Sequence, residues 1–493
     1  MGYVHQLCAW LFPIRREERG KFLAMCLLMF VTTFIHHLLR CLKDAYVLYE
    51  PGSGAEILSF LKTYLSFPMS ILAAALYMYM RKYFDMAKTY YYIVGGFALF
   101  FLFYSCVLLP NTAYLHPDKQ LVLALKQQYP MFRWFFTMWG MWLYALFYVA
   151  AELWGTYVLS VLFWQIANDT VKLEEAERFY PLFVTLSNIA LFVLNPVVKK
   201  IAYLPNNGMV ESSVIVVLGS CVLMFVFYYL NVYELSGQLS ISHEPKIKQK
   251  KTDDDSGWKL AVRSEYVWYV ALLVFCYAAI ITLVETTWKA QVIALYVSKA
   301  DQMAFQADYT LYTAIATVVM NALSKSVIEK LGWTAGAIIT PISCGVLGSL
   351  FYALMVGSEF MWLPEVMQTN IVPLAVGVGS VSVILSRGAK YSFFDPTKEM
   401  AFIPLDKRVS THGKAIADGM SSKFGKSFGG WFISSSTMLL GVDLDGLCSM
   451  LAILVVVLSV FWLFAVLRLG ILYQRQIQIN EAADLTDQDE VYT

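Results

Sequence analysis

The chain has 493 residues, 58% of them hydrophobic, 16% aromatic and only 15% charged, with a formal net charge of +1. Its mean hydropathy of +0.57 lies outside the range of soluble domains and points to a bilayer. The near-neutral charge excludes a nucleic-acid binder, whose affinity rests on a basic surface that neutralises phosphates.

The first long apolar stretch is followed by further apolar blocks and not by a small-residue cleavage site, so no cleavable signal is expected. Blocks of bilayer length recur at about 22–47, 57–80, 87–109, 134–167, 178–198, 212–233, 266–288, 307–327, 333–355, 367–386, 413–438 and 444–470. A helix needs about 20 residues to cross the hydrocarbon, so these blocks predict an all-α integral membrane protein of about twelve spans. The fourth block is too long for one crossing and predicts an interfacial helix near Met131–Trp142.

Basic residues cluster before span one (Arg15, Arg16, Arg19, Lys21), after span two (Arg81, Lys82, Lys88) and after span six (Lys246, Lys248, Lys250, Lys251). They recur after span eight (Lys325, Lys330) and after span ten (Arg387, Lys390, Lys398, Lys407, Arg408), while connections such as 50–56, 359–365 and 443–445 are acidic. This alternation predicts that both termini are cytoplasmic. The longest polar loop divides the spans six and six. The expected organisation is a cytoplasmic segment 1–21, a six-helix bundle 22–233, a cytoplasmic loop 234–263, a second six-helix bundle 264–470 and a cytoplasmic tail 471–493. Two six-helix bundles rocking about a central site describe a major-facilitator-like carrier. The run from Arg387 to Asp406 reads as a dense polar turn between two apolar segments.

The eight cysteines, among them Cys8, Cys26, Cys41, Cys106 and Cys448, show no CxxC spacing and read as small buried residues. No metal site and no cofactor is expected.

Ionisable side chains inside spans cost several kcal/mol unless they face a cavity or a partner. Lys62 has no acidic residue three or four positions away and precedes Pro68, a point of local helix weakness. Glu152 lies well inside the fourth block. Glu285 and Lys289 are four apart, hence on one helix face, where the plain reading is a local ion pair near a membrane surface. In span one, Arg40 and Asp44 can pair at four-residue spacing, while Arg40 and Lys43 present positive charge to a phosphate or snorkel to an interface. The adjacent His36 and His37 read as packing or gating residues.

Near span eleven, the glycines around Lys414, Lys423 and Lys426 lack P-loop spacing, so these lysines read as point charges among close-packing glycines and not as an ATPase signature. Most aromatic residues fall to core or interfacial-belt roles. Tyr64, Trp154 and Trp288 neighbour the intramembrane charges and are candidates to stack a base.

The segments 39–44, 60–68, 151–155, 162–168, 283–289, 387–406 and 413–427, in register along nearly the whole chain, resemble the ATP/ADP translocase family of obligate intracellular bacteria and plastids. By that resemblance the family's transport-linked lysines and glutamates fall on Lys62, Glu152 and Glu285, with the C-terminal lysine on Lys426 or Lys414. Lysines would hold phosphates, and Glu152, Glu285 or Asp44 would couple or gate. Arg40, Lys43, Lys289, Arg387 and Lys390 complete the candidate substrate-binding set.

The resemblance implies an inner-membrane carrier, not an enzyme, that exchanges host ATP for ADP, with inorganic phosphate or protons as further partners; two complete six-helix bundles predict a monomer that works by alternating access. The sequence departs from the family pattern in Thr286, Thr287 and Trp288 and in Gly425 to Gly429, which leaves nucleobase choice and coupling open. A proton-coupled net importer of nucleoside triphosphates and a carrier of another nucleotide such as NAD are the alternatives. A membrane scaffold without transport is the reading from a different class.

Overall fold

The computed structural model describes residues 14–50, 53–171, 173–235 and 259–491. The Lys246 to Lys251 cluster, most of the central loop and most of the N-terminal segment lie outside the described residues.

The described chain is built from long helices, mostly joined by short turns; the connection between residues 108 and 142 is longer and holds short helices. The long helices are α1 (Arg19–Leu48), α2 (Glu56–Tyr83), α3 (Met86–Leu108), α4 (Trp142–Thr170), α5 (Leu173–Ala202) and α6 (Met209–Tyr229), then α7 (Glu265–Leu295), α8 (299–331), α9 (333–359), α10 (Ile371–Phe402), α11 (407–440) and α12 (Cys448–Val491). At about 1.5 Å rise per residue each is long enough to cross about 30 Å of hydrocarbon. The helices α8 and α9 run on from one another, and Gly332 makes the break between them with φ of 84°, a conformation that glycine adopts without strain. The fourth apolar block divides as expected: a short helix, Arg133–Gly140, ends at Met141 before α4 begins.

The run from Arg387 to Asp406 corrects the expectation of a polar turn. Instead α10 continues into it as far as Phe402, with a wide π turn at Lys390–Phe394 and an α segment at Asp395–Phe402. Pro396 is tolerated because it falls at the start of that last segment, just past the widened turn. Side chains brace the continuation: Thr397 donates to the Phe393 carbonyl at 2.7 Å, and Trp333 of α9 donates to the Thr397 carbonyl at 2.8 Å.

The helices form two six-helix bundles, α1–α6 and α7–α12, each with its own apolar core. Both termini of the helical array lie at one face, here the terminal face; the α1–α2, α5–α6, α7–α8 and α11–α12 turns form the far face. The two cores merge only toward the far face. There Val47, Leu48, Ile57, Phe60, Trp134 and Tyr148 of the first half join the core of the second, and Ala300, Met303 and Ala307 of α8 join the core of the first.

The burial pattern of α2 carries the same message. Every residue of Glu56–Phe60 is buried, whereas none is buried in Phe67–Tyr83. On α8, nine residues between Ala300 and Thr317 are buried and none from Val318 to Leu331 is. The halves are therefore closed on one another at the far face and parted at the terminal face.

Candidate substrate-binding site

Between the two halves, side chains from α1, α2, α4, α7 and α10 bring the intramembrane charges together in one layer. The first helix of each half supplies a charged pair at four-residue spacing, and the two pairs have opposite order: Arg40 then Asp44 on α1, Glu285 then Lys289 on α7. Facing each other, they make two rungs. Arg40 Nη2 lies 3.8 Å from Glu285 Oε1, and Lys289 Nζ lies 2.6 Å from Asp44 Oδ2. Lys289 also reaches Glu285 Oε1 at 2.9 Å along its own helix. The sequence expectation that Arg40 pairs with Asp44 is thus corrected: each finds its closest partner on another helix. The surface reading of Glu285 and Lys289 is corrected too, since both are buried between the bundles.

The layer extends on either side of these rungs. Lys43 Nζ bridges Asp44 at 2.9 Å and Glu152 of α4 at 2.8 Å. Arg387 of α10 donates from Nη2 to Glu285 Oε2 at 2.6 Å. Glu152 is the most open carboxylate of the layer, with its side chain 38% exposed. Lys62 sits in a π turn of α2, Leu61–Ser66, and among the described residues no carboxylate lies within 4.0 Å of its ammonium. It is close enough to feel the fields of Glu285, Asp44, Lys43 and Lys289.

The balance of this layer decides what it can hold. Arg40, Lys43, Lys62, Lys289 and Arg387 face Asp44, Glu152 and Glu285, which leaves an excess of positive charge in a low-dielectric setting. Buried charge that is not matched is costly, and an anion entering the layer removes that cost. Unsatisfied polar atoms also gather here: the hydroxyls of Tyr148 and Tyr309, Nε of Arg387, Oγ1 of Thr63 and Nδ1 of His36 have no partner among the described residues.

The remaining candidates are placed less uniformly. Lys426 of α11 is exposed and lies within electrostatic range of Glu152 and His36, at the edge of the layer toward the terminal face. Lys390 and Lys414 do not join it. Lys390 is bound to Asp395 at 2.8 Å, and Lys414 to Glu399 at 2.7 Å, in a separate lattice where α10 meets α11. Of the two lysines that the family resemblance left open, Lys426 is the one brought near Glu152.

Two of the three base-stacking candidates are corrected by their burial. Trp154 is wholly enclosed, with Nε1 donating to the Thr32 carbonyl at 3.5 Å and its ring edge-on to Phe97. Trp288 is likewise enclosed, with Nε1 donating to the Val376 carbonyl at 3.2 Å. Both rings hold helices together and present no free face. Tyr64 remains half-buried at the seam, where its hydroxyl meets Ser434 of α11 at 3.5 Å. The close approach of α2 to α11 needs Gly430, because a Cβ there would meet Thr63 Oγ1 at 2.5 Å.

Two aromatic residues escaped the sequence reading. Tyr148 lies one turn before Glu152 and places its ring 3.9 Å from the Lys43 ammonium. Tyr309 of α8 lies 5.8 Å from the Arg387 guanidinium. The spacing of Tyr148 from Glu152 was a usable signal; Tyr309 had none, since only the tertiary fold brings α8 to α10.

Polar links seal the far face across the two halves. Lys299 meets Glu50 at 2.7 Å, Arg133 meets Asp443 at 2.5 Å and Lys199 meets Asp308 at 2.6 Å. Glu56 accepts from the Leu444 amide at 2.9 Å, and the Tyr49 hydroxyl donates to the Tyr296 carbonyl. At the terminal face the pairs Lys21–Glu175 and Arg178–Glu18 lie within the first half, and Lys398–Asp418 lies within the second.

Two helical bundles sealed at one face, with a charged layer reachable from the other, define a membrane carrier of the alternating-access kind. Solved structures share the fold. The nucleoside transporter NupG superposes with a TM-score of 0.56 at 12% identity, covering 91% of this chain and 99% of that one. A bacterial homologue of the iron transporter ferroportin, in an inward-facing state, also gives 0.56 at 12% identity over 91% of this chain and 98% of its own.

Among sequence relatives, ADP,ATP carrier protein 3 of Rickettsia bellii is 33% identical over 93% of this chain and 96% of its own length. ADP,ATP carrier protein 1 of the same organism is 32% identical over 97% and 98%. The profile of the TLC ATP/ADP transporter family matches residues 3–473. The chain belongs to that family.

Proposed function

We propose that this protein exchanges ATP for ADP across a bacterial inner membrane by alternating access, taking up ATP and releasing ADP. The observation that carries the reading is the positive excess of the central layer, with Lys62 a cation that no carboxylate among the described residues neutralises at ion-pair distance. Phosphate chains of nucleotides are the multiply charged anions that fit such a layer, and the named relatives are ADP,ATP carriers.

By the alternation of basic and acidic connections, the terminal face is cytoplasmic. The described conformation is then open to the cytoplasm and closed to the outside. Halves 22–233 and 264–470, joined by the loop 234–263, rock about the charged layer in a monomer.

Obligate exchange follows from the rungs between α1 and α7. Opening the far face separates Arg40 from Glu285 and Asp44 from Lys289, leaving Arg40 without a carboxylate at ion-pair distance among the described residues, and Asp44 and Lys289 each with one partner on its own helix, Lys43 and Glu285. Breaking a buried ion pair costs about 3–5 kcal/mol. A bound phosphate chain offsets the freed cations, so the loaded carrier turns over and the empty one does not. ATP carries roughly one more negative charge than ADP, and phosphate leaving with ADP would balance the exchange.

The test is uptake of labelled ATP into proteoliposomes preloaded with buffer, with ADP, or with ADP and phosphate. Uptake that needs internal ADP supports exchange. Uptake into empty vesicles driven by a pH gradient would instead assign net, proton-coupled import, with Glu152 the most open proton acceptor of the layer.

A further inference from the structure

A second basic site lies away from the central layer, at the far-face seam. Between the short helix Lys119–Gln128 and the α11–α12 turn is a cavity of about 230 Å³ lined by Lys126, Gln127, Arg133, Trp134 and Asp443 among others. None of the central-layer residues lines it. Trp134 is only 7% exposed, and its indole N–H has no hydrogen-bond partner among the described residues. The Arg133 guanidinium lies 5.0 Å over the Trp134 ring and donates to Asp443 of the opposite half at 2.5 Å. Asp443 itself is 70% exposed, so a competing anion has access to the bond from outside.

The chemistry of the lining is that of a phosphoryl receptor. Lys126, Arg133 and the buried indole N–H of Trp134 line one cavity with the exposed carboxylate of Asp443, and burial together with the nearby Arg133 charge holds the Lys126 ammonium below its usual range. An anion between Lys126 and Arg133 relieves that repulsion and gives the indole an acceptor. The volume falls below the roughly 300 Å³ at which pockets for whole drug-sized ligands begin, so the cavity suits a phosphate chain and leaves the rest of the ligand outside.

We propose that this cavity is a loading site for the phosphoryl tail of a nucleotide arriving at the far face, and that its occupation releases the Arg133–Asp443 latch. The inference rests on the exchange reading above. The arriving chain competes with Asp443 for Arg133, and losing that bond removes one of the links that seal the halves. Binding at the rim thus lowers the cost of opening the face through which the ligand must pass. Anionic lipid headgroups carry the same phosphoryl chemistry, and the experiment separates the two sources.

Tripolyphosphate is titrated calorimetrically into the full chain in detergent, using the wild type, Lys62→Ala, Lys126→Ala, Lys126→Gln and Trp134→Phe. The expected result is a binding component that survives Lys62→Ala, weakens about tenfold in either Lys126 variant, and weakens in Trp134→Phe, which keeps an aromatic ring and removes the donor. In proteoliposomes, Lys126→Gln then raises KM for nucleotide added at the far face about tenfold and leaves KM from the terminal face unchanged. The shift should be the same in phosphatidylcholine with or without phosphatidylglycerol. Tripolyphosphate binding unaltered by the Lys126 and Trp134 changes, or a KM shift seen only with phosphatidylglycerol, overturns the proposal. Failure of the exchange reading shows separately, as wild-type protein that binds tripolyphosphate yet moves no nucleotide.

Discussion

Asp44 and Lys289 meet at 2.6 Å across the seam between the two halves, one side chain from the first helix of each bundle. Both are nearly inaccessible, at 1% and 3% exposure, and each has a second partner of opposite sign, Lys43 for Asp44 and Glu285 for Lys289. Removing Asp44 takes a carboxylate from both Lys43 and Lys289 and leaves each with one, Glu152 and Glu285, in a low-dielectric layer. Asp44→Ala should destabilise the protein by about 3–5 kcal/mol, measured as a fall in the denaturation midpoint in detergent. The double change Asp44→Ala with Lys289→Ala should recover part of the loss. A double variant no better than the single would show that the pair is not the source of the cost.

Lys62 differs from its neighbours because it stabilises no ion pair at contact distance in the described conformation. Lys62→Ala should therefore leave the melting temperature near that of the wild type while nucleotide uptake falls by about 30-fold or more, as expected for removal of a buried charge partner of the ligand. Near-normal uptake with normal membrane abundance would remove Lys62 from the site.

The far-face latches set which way the carrier rests. Lys299→Ala removes the link to Glu50, and the population should shift toward opening of the far face. Spin labels at exposed positions 118 and 365, one on each half, report the change. A longer-distance component that grows in Lys299→Ala supports a gate, and an unchanged distance distribution contradicts it.

At the terminal face, Glu18 accepts two bonds of 2.9 Å from the Arg178 guanidinium, which ties the start of α1 to α5. That guanidinium holds the Glu18 carboxyl below its usual range. A depressed carboxylate contributes stability that is complete above its unfolded value, about 4.3, and is lost as pH falls through the lower folded value. Glu18→Gln should lower the melting temperature at pH 7, and the gap to the wild type should close below about pH 4. A gap independent of pH would mean that packing and not charge holds this strap.

Much of the fold was legible because bilayer length and apolar composition constrain each span directly. The run from Arg387 to Asp406 was not, since Gly388, Asp395 and Pro396 carry the composition of a turn while the widened π turn at Lys390–Phe394 lets the helix continue. The helix Lys119–Gln128 was missed for the opposite reason: it is short and polar and gives no apolar block.

The intramembrane charges Lys62, Glu152, Glu285 and Lys289 stood out in the sequence because each is expensive where it sits. Their pairing did not. The opposite order of charge on α1 and α7 is visible in the chain, but only the juxtaposition of those two helices turns Arg40 toward Glu285 and Asp44 toward Lys289. Trp154 and Trp288 were drawn in by their neighbours in sequence, although a helix turns successive residues to different faces, and theirs face the packed core.

The most direct measurement is a double-label exchange in proteoliposomes, with one isotope on external ATP and another on internal ADP, followed in the wild type and in Lys62→Ala. One ADP leaving for each ATP entering, and both fluxes falling together in the variant, is the predicted result. ATP entry without ADP release, or fluxes that Lys62→Ala leaves intact, would contradict a phosphate-gated exchanger built on this charged layer.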